Sequence, residues 1–396
     1  MGNKDTSGSP LPLPDAKARA VSERLTRHIA RMIDQAGGMI PFDLFMDKAL
    51  YAPGLGYYVA GSRKFGEHGD FITSPEVSPL FAQCLARQIA PVLSALQGGD
   101  ILEFGAGSGL LAADSLTELA SLGQLPQRYL ILEISPELRA RQKATLKVRV
   151  PHLIERVVWL DQMPKDFAGC VVANELLDAF PVSRFRIMDQ MVQECFVSLE
   201  ENEFKERFEK PVTHGLEATV MNLQKELGPF SEGYVSEINL RQAAWLKSLA
   251  QSMRQGVVLL IDYGYSGAEY YHPQRNQGTL MCHYHHRAHG DPFCWIGLQD
   301  ITSQVDFTAA AREALTAGFR LGGYTTQAHF LLANGLDAIL AESNPTDLTR
   351  HMALVQGVKR LTLPSEMGER FKVLGLLKGL QINLQGFMLR DFCERL

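Results

Sequence analysis

The sequence predicts an α/β fold in which helices cover both faces of a mostly parallel sheet. Three observations support this prediction: short apolar runs that suit buried strands, helical stretches between these runs, and a glycine-rich turn directly after the first run. The first four runs begin at Asp100, Tyr129, Val157 and Cys170, and a fifth spans 257–262. Strands that alternate with helices in this way form parallel sheets.

The front of the chain, residues 15–98, is predicted to form a helical cap and a segment that covers the cofactor. Residues 15–35 place apolar side chains at the four-residue spacing of one helix face: Val21, Leu25, Ile29 and Ile33. The pair Ser78-Pro79 is a strong helix start. Residues 1–14 are polar and rich in Ser, Pro and Gly, which predicts a disordered tail.

Residues 99–396 are predicted to form the core, with a seven-stranded, mostly parallel sheet. Its first helix spans about 110–122, and Ser135-Pro136 starts the next one. Two insertions interrupt the core: a β-hairpin at about 183–233 and a long irregular stretch at 264–304. We further expect helices near 234–253 and 307–317, and strands near 324–331 and 371–377.

Composition and charge exclude several classes of protein. The 396 residues are 46% hydrophobic and 21% charged, as in ordinary soluble proteins. A net charge of −5 gives no general attraction to nucleic acid, and no apolar run approaches the ~20 residues of a membrane helix. The six cysteines are scattered, which indicates free thiols. The start of the chain lacks the pattern of a secretory signal or a transit peptide, which predicts a cytoplasmic protein.

The glycine-rich turn EFGAGSG spans residues 103–109, where a strand ends and a helix begins. Glycines at this place let a ligand approach the backbone N–H groups of the helix start. Gly105, Gly107 and Gly109 follow the spacing GxGxG, and Leu110 occupies the position at which the dinucleotide fingerprint requires its third glycine. A nicotinamide-dependent dehydrogenase is therefore disfavoured.

Acids near this turn favour S-adenosylmethionine (SAM), which carries a sulfonium and an amino acid instead of a pyrophosphate. Glu103 precedes the turn and suits a cation better than a phosphate. Glu133 ends the next strand, 24 residues after Gly109, where a carboxylate can accept hydrogen bonds from both ribose hydroxyls. Asp161 follows the third strand and can meet the adenine amino group. The alternative is a plain tight turn with solvated acids at strand ends.

The segment NELLDAFP, residues 174–181, follows the fourth strand and lies at the edge where ligands bind in open α/β sheets. SAM donates a methyl group, and one class of methyl acceptor is an arginine side chain. Arginine is a planar cation, so a carboxylate is needed to hold the guanidinium and orient one nitrogen toward the methyl group. Glu175 is the candidate for this role, with Asp178 or Asp262 as a second acid and Asn174 beside them. Alternatively, Asp178 caps a turn and Asn174 binds the local backbone.

Two further segments contain many polar side chains. GDFITSPEVS, residues 69–78, places Asp70, Ser74, Pro75 and Glu76 before a helix, either as a simple cap or as a cover over the cofactor. The histidine-rich run at 282–289 matches no standard zinc spacing, so we predict no metal site.

Together these segments, with LIDYGY at 260–265 and the stretch at 278–308, resemble the MidA-like family of SAM-dependent methyltransferases across roughly residues 38–380. That family includes a mitochondrial enzyme that dimethylates an arginine of a respiratory complex I subunit and assists assembly of the complex. The resemblance implies a class I, Rossmann-like methyltransferase fold, SAM as cofactor and a protein arginine as acceptor. By motif match it places Gly105, Gly107 and Glu133 at the cofactor, Glu175 in the catalytic loop, and Asp70, Ser74, Pro75 and Glu76 in the covering segment.

Two other functions remain open at this stage. One is a methyltransferase for a small molecule, and the other is a SAM-binding assembly factor that acts by contact without transferring methyl. The sequence identifies neither the acceptor protein nor the oligomeric state, and a homodimer is one expectation.

Overall fold

The computed structural model describes residues 5, 6, 8, 10–60, 72–343 and 346–396. The chain divides into two compact units, each assembled from separate segments. The segments of the first unit are Met1–Phe71, Asp178–Gln242 and Gly267–Gln304. Those of the second unit are Ile72–Leu177, Ala243–Ser266 and Val305–Leu396. The glycine turn and the acids Glu103, Glu133, Asp161 and Glu175 therefore belong to the second unit. Asp178 belongs to the first unit.

The α-helices of the described residues are, in chain order, α1 (Ala16–Gln35), α2 (Phe42–Tyr51), α3 (Ser74–Val77), α4 (Pro79–Ala95), α5 (Leu110–Ser121), α6 (Pro136–Arg149), α7 (Leu216–Leu227), α8 (Gln242–Ser252), α9 (Gly267–Tyr270), α10 (Phe307–Thr316), α11 (Gln327–Ala333), α12 (Leu336–Ala341) and α13 (Leu348–Thr362). Short 3₁₀ helices occur at Pro151–Arg156, Gln385–Phe387 and Cys393–Arg395. The predicted starts hold: the side chains of Ser78 and Ser135 accept backbone N–H bonds at the first turns of α4 and α6.

The β-strands of the same residues are β1 (Met39–Pro41), β2 (Asp100–Phe104), β3 (Tyr129–Leu132), β4 (Val157–Leu160), β5 (Phe167–Asn174), β6 (Ser183–Met188), β7 (Met191–Glu200), β8 (Glu203–Glu209), β9 (Val235–Ile238), β10 (Met253–Tyr265), β11 (Met281–Tyr284), β12 (Arg287–His289), β13 (Asp300–Thr302), β14 (Val305–Asp306), β15 (Arg320–Thr326) and β16 (Phe371–Lys378). The first four runs and the fifth, now β2 to β5 and β10, lie where the sequence predicted them.

The second unit is built on an eight-stranded mixed sheet in the order β15-β16-β10-β5-β2-β3-β4, with β14 paired to β10 outside this path. β16 runs antiparallel to both of its neighbours, and the pairs from β10 to β4 are parallel. The prediction of seven strands is therefore one short. The additional strand, β14, has only two residues, and a pairing so short leaves no periodic pattern in the sequence.

Two glycines bring the amino ends of three neighbouring strands together. A Cβ atom on Gly169 of β5 would lie 1.8 Å from the Asp100 carbonyl oxygen of β2. A Cβ atom on Gly256 of β10 would lie 1.9 Å from the Gly169 carbonyl oxygen. Their φ angles, +153° and +143°, are also ones that other residues rarely adopt. The opposite, carboxyl ends of the same strands carry the glycine turn and Asn174.

Apolar side chains fill the space between this sheet and its helices. β2 is buried along its whole length, and α4 and α5 supply residues such as Phe81, Leu85 and Leu116, each no more than 1% exposed. Each such side chain contributes roughly 1.5–3 kcal/mol when fully removed from water. The core thus fixes the strand ends on which the polar residues are placed.

The first unit contains an antiparallel sheet in the order β1-β7-β6-β9, with β8 paired to β7, and a smaller sheet β12-β11-β13. The predicted hairpin insertion is confirmed by β6 to β8. The stretch 264–304 is not irregular throughout, because it forms the smaller sheet. The predicted helix at 234–253 is wrong in its first part, where β9 adds a strand to the larger sheet, and the predicted strand at 324–331 ends at Thr326, where α11 begins.

The described residues of the opening segment, for which we expected no fixed structure, make contacts within the first unit. Leu11 is buried with Tyr284 and Cys294. The Arg287 guanidinium donates to the Pro10 carbonyl oxygen at 2.9 Å and pairs with Asp5 at 3.3 Å. None of the helices described is long and apolar enough to cross a membrane.

Candidate methyl-transfer site

The glycine turn lies between the end of β2 and the start of α5. Gly105 and Gly107 have φ angles of +63° and +50°, and a Cβ atom on either would meet nothing within 4 Å. The turn therefore leaves open space beside a backbone that only glycine adopts readily. Gly109 differs, because a Cβ atom there would come within 3.1 Å of the Gln142 Cα atom. It serves close packing between the turn and α6.

Glu103 lies at the end of β2 with its side chain 2% exposed. The Tyr129 hydroxyl donates a hydrogen bond to its Oε2 atom at 2.8 Å. Burial raises the pKa of the Glu103 carboxyl to about 8, the Tyr129 bond opposes this rise, and the charge of Glu133 adds to it. The two predicted acids therefore lie close enough to influence one another. A cation placed beside them would favour the ionised form of Glu103.

Glu133 is held from two directions. Its Oε1 atom accepts from the Ser135 backbone N–H at 2.9 Å, and its Oε2 atom accepts from the Gln142 Nε2 atom at 3.1 Å. These two bonds fix the orientation of the carboxylate, which can accept hydrogen bonds from a ligand's hydroxyls at up to about four positions.

Gln142, which sequence reasoning did not select, links three parts of the site. Its Nε2 atom also donates to the Gly107 carbonyl oxygen at 3.2 Å, and its Oε1 atom accepts from the Trp159 indole N–H at 2.9 Å. The side chain is fully buried. A signal existed in the sequence: Gln142 is a polar residue between Leu138 and Leu146 on the apolar face of α6. It holds the glycine turn, Glu133 and β4 in one network.

Asp161 lies just after β4 and is paired with Arg139 at 2.8 Å, with its side chain 88% exposed. Arg139 also donates to the carbonyl oxygens of Glu133 and Leu160, both at 2.6 Å, so it links the ends of β3 and β4. Ile134 follows Glu133 and is 58% exposed, an apolar surface directly beside the acid. An exposed isoleucine at this strand end suits the flat, apolar face of a nucleoside base.

α3 carries Ser74, Pro75 and Glu76 from the segment predicted to cover the cofactor, while Asp70 lies outside the described residues. Glu76 is hydrogen-bonded by Ser108 of the glycine turn, and burial raises the pKa of the Glu76 carboxyl despite this bond. Its Oε2 atom is buried and has no hydrogen-bond partner among the described residues. An acceptor left in this state beside the open glycine turn fits the ammonium group of an amino-acid ligand.

Ser74 connects α3 to the end of β5. Its Oγ atom donates to Gln327 Oε1 at 3.0 Å, and its backbone N–H donates to Glu175 Oε1 at 3.4 Å. The predicted covering segment and the predicted catalytic loop are thereby joined within the second unit.

Glu175 follows β5 with a φ angle of +52°, a conformation that is uncommon for a residue with a side chain. Its backbone N–H donates to the Ile261 carbonyl oxygen at 2.8 Å, and its Oε1 atom accepts from Asn174 Nδ2 at 3.0 Å. The Asn174 Oδ1 atom is buried and without a hydrogen-bond partner among the described residues. Backbone strain and an unsatisfied polar atom occur together at this strand end, as they often do at functional sites.

Asp262, considered above as a second acid for an acceptor, lies on β10 and holds the loop that follows Glu175. Its Oδ2 atom accepts from the backbone N–H groups of Leu176 and Leu177 at 3.1 and 2.9 Å. The side chain is 1% exposed. These bonds fix the backbone of the loop, so Asp262 is placed to position Glu175 rather than to bind an acceptor.

Asp178 belongs to the first unit, where its side chain is buried and its carbonyl oxygen accepts from the Ser303 N–H at 3.0 Å. Tyr51 and Tyr58 stack in the same unit with ring centroids 5.5 Å apart, and the Tyr58 hydroxyl donates to Asp300 at 3.0 Å. Burial raises the pKa of both hydroxyls well above the usual value, and the charges of Asp300 and Asp178 add to this effect.

The histidine-rich run forms the hairpin of β11 and β12, with His285 and His286 at its turn. No three His, Cys, Asp or Glu side chains converge on a potential metal position in the ranges 10–60, 72–343 and 346–396 or at residues 5, 6 and 8.

Comparison with known proteins identifies the family and the cofactor. A family model described as "Putative S-adenosyl-L-methionine-dependent methyltransferase" matches residues 84–325. The crystal structure of a protein from Burkholderia thailandensis bound to S-adenosyl-homocysteine is 43% identical and superposes with a TM-score of 0.93, covering 98% of this chain and 100% of that one. A second structure from the same organism, in a native form, is 42% identical with a TM-score of 0.91.

Curated relatives are more distant in sequence. The human mitochondrial protein arginine methyltransferase NDUFAF7 is 28% identical over 391 residues, which cover 89% of this chain and 83% of the relative. Its Drosophila melanogaster homolog is 27% identical over 400 residues, covering 93% and 89%. These relatives are named mitochondrial, so the predicted cytoplasmic location is wrong by this comparison. The prediction depended on a missing transit-peptide pattern, and such patterns are too loosely defined to assign a compartment.

The matched region contains the glycine turn, Glu133, Glu175 and Asp262, and the closely superposed structure holds the product form of the cofactor. The chain therefore belongs to the family of S-adenosyl-L-methionine-dependent methyltransferases, and S-adenosylmethionine is its cofactor.

Proposed function

We propose that this enzyme transfers methyl to an arginine guanidinium of a protein. The observation that carries the proposal is the end of β5, where Glu175 is fixed in a left-handed conformation beside the unpartnered Asn174 Oδ1 atom. A carboxylate and an amide oxygen together accept several N–H bonds in one plane, which is what a guanidinium offers. Relatives named protein arginine methyltransferases support the same acceptor.

The residues of the second unit suit the cofactor in separate parts. Glu133, with Ile134 and Asp161 near it, would bind the nucleoside, and Gly105 and Gly107 would allow its close approach. Glu103 and Glu76 would face the positively charged amino-acid part, with Ser74 and Pro75 in the covering segment. S-adenosylmethionine supplies a methyl group made electrophilic by its sulfonium.

The protein's task at the acceptor is to position a weak nucleophile. A guanidinium has a pKa above 12 and its nitrogen lone pairs are delocalised, so one nitrogen must be held in line with the methyl group. Glu175 would accept N–H bonds from the guanidinium, localise its charge and take the proton that the nitrogen gives up. Asn174 would fix the second N–H direction, and Asp262 would keep the loop in place through Leu176 and Leu177. Asp178 remains a sequence-based prediction for the catalytic set.

We also propose that residues 15–98 form a helical cap. Residues 99–396, with their two insertions, would form the core that holds the cofactor. On the family resemblance we extend the proposal to a respiratory-complex subunit as acceptor. A homodimer is a separate part of the proposal.

The proposal is tested by mass spectrometry of methylarginine in proteins from cells with and without the enzyme. Loss of one methylarginine site in the absence of the enzyme, with its return on expression of the wild type but not of Glu175→Gln, is expected. Unchanged methylarginine together with a metabolite that gains methyl would refute the arginine acceptor. Full rescue of the cellular effect by Glu175→Gln would indicate instead an assembly factor that acts by contact.

A further inference from the structure

A cationic groove lies in the first unit, between α1 and the turn at Pro53–Leu55. Its volume is about 870 Å³, and its lining comprises Arg24, Arg27, His28, Ala30, Arg31, Pro53, Gly54 and Leu55. The three arginines are exposed. Neither the methyl-transfer site nor the cofactor residues described above include any of these side chains.

The spacing of the basic residues places them on one helix face. Arg24, Arg27, His28 and Arg31 occupy positions i, i+3, i+4 and i+7 of α1. Like charges at such spacings repel one another and destabilise a helix. Because this stripe of basic residues destabilises the free protein, we expect a binding partner to supply the opposite charge.

Neighbouring acids do not neutralise the stripe. No ion pair shorter than 4 Å involves Arg24, Arg27 or Arg31 in the part of the chain that the structure describes, although Glu23 lies four residues before Arg27. The acids of α2 are already paired: Arg241 contacts Asp43 at 3.0 Å and Asp47 at 2.7 Å. The Arg31 Nε atom donates to the Arg27 carbonyl oxygen at 3.3 Å, and the terminal guanidinium nitrogens of the three arginines are therefore available to an outside partner.

The occupant of such a groove must be negatively charged and partly apolar. Arginine forks bind carboxylates with two parallel bonds, while Ala30, Pro53 and Leu55 offer an apolar floor. A membrane is disfavoured because the apolar face of α1, with Leu25, Ile29 and Ile33, is buried and cannot insert. Nucleic acid is disfavoured because the lining contains no Phe, Tyr or Trp side chain for base stacking.

We propose that this groove binds an acidic segment of the acceptor protein, apart from the arginine that is methylated. The identity of the partner as the acceptor rests on the proposed function, while the binding of an acidic segment does not. Docking at a separate surface would lengthen the time for which a flexible substrate stays bound. It would therefore lower the KM without changing the chemistry of the methyl-transfer step.

Binding is tested on the full chain by fluorescence anisotropy with a fluorescein-labelled peptide of alternating glutamate and leucine. The triple variant Arg24→Glu/Arg27→Glu/Arg31→Glu is expected to raise its Kd at least about tenfold, and added salt is expected to weaken wild-type binding. The matched control, Arg350→Glu/Lys359→Glu/Arg360→Glu on α13, reverses the same number of exposed charges and should bind as the wild type does. S-adenosyl-homocysteine affinity, measured by calorimetry, should be unchanged in both variants.

Three results would overturn the groove as a docking site for an acidic segment. These are absence of peptide binding, equal weakening in both triple variants, and tighter binding of a short DNA duplex or of phosphatidylserine vesicles through the same arginines. The acceptor link is tested separately with arginine peptides that carry or lack a glutamate-rich extension. The α1 variant should raise KM about tenfold only for the extended peptide, with kcat unchanged. If no arginine peptide is methylated while the acidic probe still binds, arginine methylation is refuted. The groove is then still supported as a binding site for an acidic segment.

Discussion

The two halves of the sheet edge in the second unit are built differently. At the ends of β2 and β3, the acids are held by nearby groups: Tyr129 bonds Glu103, and Ser135 and Gln142 bond Glu133. At the end of β5, Glu175 has a strained backbone and the Asn174 Oδ1 atom has no partner among the described residues. Under the proposed function, the first half is preformed for a cofactor that is bound in every cycle. The second half would use the unpaired Asn174 Oδ1 atom for an acceptor that binds and leaves in each cycle.

The largest effect is expected at the strained half. Glu175→Gln keeps the shape and removes the charge that localises the guanidinium, so methyl transfer should fall about 10²–10³-fold while S-adenosyl-homocysteine affinity changes less than about twofold. Single-turnover kinetics and calorimetry measure the two quantities. Glu201→Gln is the matched control, because Glu201 also has a left-handed φ, of +49°, but lies in an exposed turn. If Glu175→Gln lowered cofactor affinity as much as it lowered the transfer rate, the two halves would not differ in function.

The second-largest effect is expected at the ends of β2 and β3, the preformed half of the sheet edge. Glu133→Gln should weaken S-adenosylmethionine binding about 10- to 100-fold, because each charge-assisted bond to a ribose hydroxyl contributes about 1.5–3 kcal/mol. At saturating cofactor the rate of transfer should remain close to that of the wild type. A variant that binds the cofactor normally would show that Glu133 is only a helix-start acceptor for Ser135.

A smaller effect is expected at Gln142. Gln142→Leu removes the bonds that Gln142 makes to the Gly107 carbonyl, Glu133 Oε2 and the Trp159 indole, which should lower stability by about 1–3 kcal/mol and cofactor affinity about tenfold. Gln88→Leu is the control, since Gln88 is equally buried in the second unit and accepts from the Gly386 N–H at 2.7 Å. Both variants should unfold at lower denaturant concentration, but only the first should bind cofactor less tightly. Equal affinities in the two variants would reduce Gln142 to a packing role.

The smallest effect concerns pH. The folded pKa of Glu103, about 8, lies above its unfolded value of 4.5, so the folded protein binds the extra proton between these values and its stability decreases as pH rises through this window. A cationic ligand favours the ionised carboxylate, so S-adenosylmethionine affinity should rise by up to about fivefold between pH 7 and 8. Titration calorimetry across this range measures the rise. Glu103→Gln should abolish it, and a pH-independent affinity in the wild type would contradict the coupling.

The same two halves differ in how far the sequence predicts them. The ends of β2 and β3 follow from local pattern, because a strand, a glycine spacing and the cap Ser135 are each visible within a few residues. The roles of Gln142 and Asp262 are not visible in this way. Gln142 binds Gly107 from 35 residues away, and Asp262 holds Leu176 from 86 residues away, so each role depends on packing that no local pattern specifies.

The fold shows the same limit. Apolar runs predict the parallel strands, but the helix predicted over 234–253 fails at β9 because Val235–Ile238 gains its strand structure from pairing with β6. The strand predicted over 324–331 ends early because the Thr326 hydroxyl accepts from the His329 N–H and starts α11. Local propensity fails where a neighbouring strand or a single side-chain bond decides the outcome.

The glycines at the amino ends of β5 and β10 have a consequence for inherited variation. Gly169 and Gly256 take part in no chemistry, yet any side chain at either would collide with the adjoining backbone and force the three strands apart. Because strands transmit such a displacement along their length, Asn174 and the glycine turn would shift together at the far side of the sheet. A missense change at these remote positions would thus displace the site while leaving every polar group of the site chemically intact.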